Sequence, residues 1–172
     1  MKATLEIKGE KVPVEITGEK LDKVLKMLEK PVKKTGYERV NKGELYYSMN
    51  NCGFVDSLED TNCEYDDTIF DNGNYYSDEA VAENNARADT LMRKLRRFAV
   101  EHREKELDWN NQRQTKYSIC YYDETESLEI MKDRNIRNFG GIYFDTKETA
   151  QAAIEEFKDE LIWYFTEYKD CL

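Results

Sequence analysis

Histidine is almost missing from this chain of 172 residues: there is one, His102, within Glu101-His102-Arg103-Glu104-Lys105. A lone histidine at the end of a predicted helix caps it or sits in water, and it gives triad chemistry nothing to stand on. The four cysteines, Cys52, Cys63, Cys120 and Cys171, are too far apart for a paired-ligand zinc pattern or a Cys-x-x-Cys pair. They read as free thiols in a reducing compartment. The eight glycines are scattered in turns and build no phosphate-binding loop. No apolar run is long enough for a signal peptide, and none approaches the roughly 20 residues of a membrane span. These absences set the expectations of no catalytic residue, no metal, no cofactor, no membrane and a cytoplasmic location.

What is present is charge and aromatic surface. Charged residues make up 36% of the chain and hydrophobic ones 40%, while 12% aromatics argue against disorder. The length suffices for one ordinary domain or two small modules with a core of their own.

Ala3, Leu5 and Ile7, then Val12, Val14 and Ile16, alternate about Gly9 and predict a hairpin; Leu21, Val24, Leu25 and Leu28 predict a helix that Pro31 ends. Residues 1–31 thus read as a ββα module and 32–36 as a basic linker. A second unit is expected over 37–108: short strands at Tyr37–Val40, Leu45–Met49 and Gly53–Leu58, an acidic loop, an edge at Asn74–Tyr76, and a helix from Ser77 ending before Trp109. Its apolar stripe is Ala82, Ala86, Leu91, Leu95, Phe98 and Ala99. The third unit, 109–172, has strands from Lys116, around Leu128 and Ile130, and at Ile142–Phe144. A final helix carries Ala150, Ala153, Ile154, Phe157, Leu161, Phe165 and Tyr168, opened by Asp145-Thr146-Lys147-Glu148.

The last two units resemble each other at an offset of 68, which lays Gly73, Tyr75, Tyr76 and Ala82 on Gly141, Tyr143, Phe144 and Ala150. The expected fold is α+β, with small antiparallel sheets each packed by a helix and a duplicated strand-strand-strand-helix unit.

Charge is distributed unevenly. From Gly43 to Ala86 there is no lysine or arginine, and eleven acids lie there; removing them from the net charge of −10 leaves the rest of the chain at +1. Tyr46, Tyr47, Phe54, Tyr65, Phe70, Tyr75 and Tyr76 interleave with these acids. Carboxylates on an aromatic-rich surface approach the charge density of duplex DNA, and a basic groove would attract them. Asp56, Glu59, Asp60, Glu64, Asp66, Asp67 and Asp71 are therefore the candidate partner-binding residues. The plain alternative is a solvated loop that keeps the protein in solution. A calcium loop is disfavoured because Asp71-Asn72-Gly73 lacks alternating ligands.

Arg93, Arg96 and Arg97 share a helical face in the next segment, where they could grip nucleic acid directly, with Lys30, Lys33 and Lys34 as an auxiliary arm. The simpler expectation is that they pair with the acidic stretch of the same molecule.

The succession Tyr37-Glu38-Arg39-Val40, Gly43-Glu44-Leu45-Tyr46-Tyr47, Gly73-Asn74-Tyr75-Tyr76, Trp109-Asn110, Lys116-Tyr117 and Gly141-Ile142-Tyr143-Phe144, then Ala153-Ile154-Glu155, resembles small phage and prophage accessory proteins of low-GC Gram-positive gut bacteria. The likeness runs from about residue 37 to 168 and supplies no catalytic residues. Size and acidity resemble anti-CRISPR inhibitors. That resemblance implies a non-enzymatic inhibitor in the bacterial host cytoplasm whose partner is a defence nuclease, such as a type II Cas9 effector with its guide RNA. The reading set against it is a nucleic-acid-binding accessory protein that uses the basic helix.

Overall fold

The computed structural model describes residues 2–7, 10–15 and 34–168, which fall into two compact units, Met1–Thr35 and Gly36–Leu172. In the first, β1 (Lys2–Ile7) pairs antiparallel with β2 (Glu10–Glu15), placing Ala3 opposite Val14 and Leu5 opposite Val12. That is the hairpin the alternation predicts. The helix expected over Leu21–Leu28 and the start of the linker lie outside the described residues.

The second unit contains β3 (Leu45–Met49), β4 (Val55–Glu59), α1 (Glu64–Asp71), α2 (Glu79–Glu101), β5 (Lys116–Tyr122), β6 (Ser127–Asp133) and α3 (Lys147–Thr166). Strands β3 and β4 form one antiparallel hairpin, β5 and β6 another, and helices pack on them. The fold is α+β.

The repeated pattern has a geometric counterpart. In the first half, Tyr47 and Tyr76 exchange backbone hydrogen bonds of 2.8 and 2.9 Å; in the second, Tyr117 and Phe144 exchange bonds of 2.9 and 2.8 Å. Each bridge is followed by a capped helix. The Asp78 carboxylate accepts from Val81 N at 3.1 Å, and Thr146 Oγ1 accepts from Thr149 N at 3.0 Å, satisfying amides that have no partner inside the helix. Asp78 and Thr146, like the helix starts Glu79 and Lys147, are 68 positions apart, and Ala82 and Ala150 are both fully buried.

The halves share one core. Leu91, Leu95, Phe98 and Ala99 of α2 pack with Phe144 and with Ala150, Ala153, Ile154 and Leu161 of α3, while Tyr117, Ile119, Leu128 and Ile130 cover the cluster from β5–β6. Each fully buried leucine or phenylalanine there contributes roughly 1.5–3 kcal/mol. Helices α2 and α3 and the β5–β6 hairpin thus close on a common interior within the unit from Gly36 onward. A smaller cluster of Tyr46, Ile69 and Tyr75, with Val40 and Leu58 against it, fills the space beneath α1.

Several local expectations change. Tyr37–Val40 forms no strand; Arg39 turns toward Asp60, and the Val40 amide donates to Tyr75 Oη at 3.3 Å. The acidic loop contains helix α1. The third strand of each half contracts to a single bridging residue. Helix α2 stops at Glu101, because Asp145 Oδ2 takes the Glu104 and Lys105 amides at 2.8 Å each and draws the chain aside. Gly36 is no linker residue. It is buried, its carbonyl accepts from Ser77 N at 2.7 Å, its φ is +90°, and a Cβ there would lie 2.7 Å from Val81 Cγ2.

Candidate interaction surface

The acidic stretch is built around two carboxylates that fold inward. Asp66 stands three residues after the N-cap of α1, and from there its side chain reaches back over the helix start. Its Oδ2 accepts from Thr61 N and Thr61 Oγ1, both at 2.9 Å, and from Cys63 N at 3.1 Å; its Oδ1 accepts from Tyr46 Oη at 3.0 Å. Asp60, fully buried, accepts from Arg39 Nε at 2.9 Å, Tyr75 Oη at 2.8 Å and Asn62 N at 2.7 Å. The Tyr46 and Tyr75 rings that deliver these hydroxyls are stacked with centroids 4.1 Å apart.

The electrostatics follow from this geometry. Hydrogen bonds from Arg39, then Tyr75 and the Asn62 amide, hold Asp60 below the ordinary carboxylate range, and the Cys63 and Thr61 donors do the same for Asp66. Burial, reinforced by donation to Asp60, pushes the Tyr75 phenol up to about 12. Tyr46 rises for the same kind of reason beside Asp66. Arg39 is held more firmly protonated by hydrogen bonds to Asp60 and Asp67, and its guanidinium lies 5.7 Å from the centre of the Phe70 ring.

Asp60 and Asp66 are therefore corrected: they hold the chain together from inside and cannot be presented to a partner. Their oxygens are consumed by tyrosine hydroxyls, backbone amides and Arg39. The other five expected residues are exposed: Asp56, Glu59, Glu64, Asp67 and Asp71. They do not form one flat face. Strand alternation sets Asp56 on the side of Leu58 and Glu59 on the opposite side. Glu64, Asp67 and Asp71, spaced by three and four, make a continuous stripe along α1. Tyr65 and Phe70, 63% and 37% exposed, belong to the same short helix.

Arg93, Arg96 and Arg97 are exposed on α2, and the expected pairing with the acidic stretch is not what occurs. Among the described residues neither Arg93 nor Arg96 has a carboxylate within ion-pair distance, and Arg97 approaches only Glu101 of its own helix at 3.9 Å. Arg39 takes that role instead, from the segment preceding β3. It was visible in the sequence as the last arginine before the cation-free stretch, but only the fold brings it to Asp60 and Asp67. His102 caps α2, its ring stacked on Phe98 at 3.9 Å.

Among the described residues no three histidine, cysteine, aspartate or glutamate side chains are grouped to hold a metal, and no helix is long and apolar enough to cross a membrane. No protein-family model matches the chain, and neither does any curated protein or solved structure.

Proposed function

We propose that this chain is a non-enzymatic, phage-derived inhibitor that docks its acidic half on the basic nucleic-acid groove of a host defence nuclease, a Cas9-type effector carrying its guide RNA. The stripe Glu64–Asp67–Asp71 is the observation that carries this reading. Seven residues of helix separate its ends, about 10 Å of axis, so a carboxylate recurs every 5 Å or so, the middle one, Asp67, being shared with Arg39. One strand of duplex DNA sets a phosphate charge about every 3.4 Å, and a groove built to receive that series would receive this one. Tyr65 and Phe70 beside the stripe add the aromatic contact area on which interfaces rely.

The test separates surface charge from internal charge. Asp56, Glu59, Glu64, Asp67 and Asp71 are changed together to Asn or Gln, leaving Asp60 and Asp66 intact. Thermal stability should stay within a few degrees. Association with a purified Cas9–guide RNA complex should slow by orders of magnitude, lose its salt dependence and no longer prevent target cleavage. Equal inhibition by the neutralised protein at low and physiological salt would sink the proposal, as would failure of the unaltered protein to bind the complex.

A further inference from the structure

A different surface is set apart by its charge. The turn between β3 and β4 lies directly on α2: Gly53, with φ +87°, is so close that a Cβ would stand 3.1 Å from Thr90 Oγ1 and 3.4 Å from Arg93 Nη2. This contact leaves a recess of about 310 Å³ lined by Asn51, Cys52, Thr90, Arg93, Lys94 and Arg97. In a chain of net charge −10, three cations and no carboxylate line it. Arg93 is held in place by Thr90 Oγ1, to which its Nη2 donates at 3.1 Å, and neither it nor Lys94 is neutralised by an ion pair among the described residues.

Thr90 and Lys94 also line a neighbouring cavity of about 540 Å³, whose wall includes Phe54. Phe54 is 70% exposed, which leaves its ring open to a stacking partner. Of the two carboxylates on that cavity, Glu160 is occupied by Arg87 at 2.8 and 3.1 Å. Glu83 lies eleven residues before Lys94 on α2, about 16 Å along the axis and beyond the roughly 8 Å over which charge acts at physiological salt.

We infer that this cleft binds single-stranded nucleic acid, with successive backbone phosphates along Arg93, Lys94 and Arg97 and an unpaired base on Phe54. Cations that track a backbone beside an aromatic platform are how proteins hold single strands without reading sequence. A duplex keeps its bases stacked on one another and leaves Phe54 without a partner. Arg96, outside the recess, is not part of the site. This activity does not depend on the acidic half docking anywhere.

Fluorescence anisotropy of the full chain with a short labelled oligothymidylate tests it. Binding should weaken with salt at a log–log slope of roughly −2, as expected for three phosphate contacts on a single strand. The triple change Arg93→Ala, Lys94→Ala, Arg97→Ala should reduce affinity about tenfold or more and flatten the slope. Phe54→Ala should reduce affinity about tenfold with the slope kept. All four positions face solvent, so circular dichroism should be unchanged. The five-site acid variant should bind at least as tightly as the parent. Competition by duplex equal to that by single strand, displacement by inorganic phosphate alone, or full binding by Phe54→Ala would overturn the inference.

Discussion

Tyr46 and Lys116 occupy the same place in the two halves of the molecule. Each is fully buried, and each immediately precedes the residue, Tyr47 or Tyr117, that bridges to the strand-like segment before a helix. Tyr46 stacks on Tyr75 and donates to Asp66. Lys116 instead spends its three ammonium hydrogens on the carbonyls of Asp108, Asn111 and Gln114, at 2.6, 3.2 and 3.0 Å, with the Trp109 ring 5.1 Å away. Lys116→Met keeps the length but strands three carbonyls, and should cost about 2–4 kcal/mol; Tyr46→Phe should cost about 1 kcal/mol. Urea unfolding of both variants measures the difference.

Asp60 and Asp66 make stability depend on pH with a definite sign. Their carboxyls titrate lower in the folded chain than the ordinary 3.8, so the stabilisation is complete above that value and disappears as pH falls through the folded values. Melting temperature should drop steeply below about pH 4. Asp60→Asn should be less stable at neutral pH yet lose less on acidification, and an unchanged acid slope would show that Asp60 does not contribute.

At the alkaline end the sign reverses. The Tyr75 phenol, raised from 10 to about 12, favours the folded chain below pH 10, and that contribution fades as pH climbs toward 12. Tyr75→Phe should flatten the melting profile across this window. A profile identical to the parent's would count against the Tyr75–Asp60 hydrogen bond.

Two glycines with positive φ should respond differently to alanine. At Gly73, φ +78°, nothing lies within 4 Å of the new Cβ, so only backbone strain of about 1–2 kcal/mol is expected. At Gly36 the Cβ also meets Val81, and the loss should exceed that at Gly73 by about 1–3 kcal/mol. Adding Val81→Ala should recover part of the difference at Gly36 and none at Gly73, as read from thermal melts.

The unit from Gly36 onward has its own core, so a chain beginning at Thr35 should unfold in one cooperative transition. Non-cooperative melting of that chain would show that residues 1–34 complete the core.

Much of this architecture is legible in the sequence because it is periodic. The stripe Ala82, Ala86, Leu91, Leu95, Phe98 and Ala99 is buried throughout, and β3 is bounded by Leu45 and Met49 as alternation predicts. Helix α1 is hidden because four of its eight residues are acidic and its polarity reads as loop. Its one local signal is Asp66 at the third helical position, a place from which a carboxylate reaches back to the cap. Asp60 carries no such signal. In sequence it matches Glu59, and only the approach of Arg39, 21 positions away, separates a buried anchor from an exposed charge.

The common core also sets an order of events during synthesis. Lys147, which opens α3, lies 46 positions after Glu101, where α2 ends. At about 5–20 residues per second, α2 leaves the ribosome several seconds before Ile154 and Leu161 arrive to cover Leu91, Leu95 and Phe98. Throughout that interval the nascent chain carries an amphipathic helix whose apolar stripe α3 has yet to cover, the form in which folding chaperones and premature aggregation compete for it.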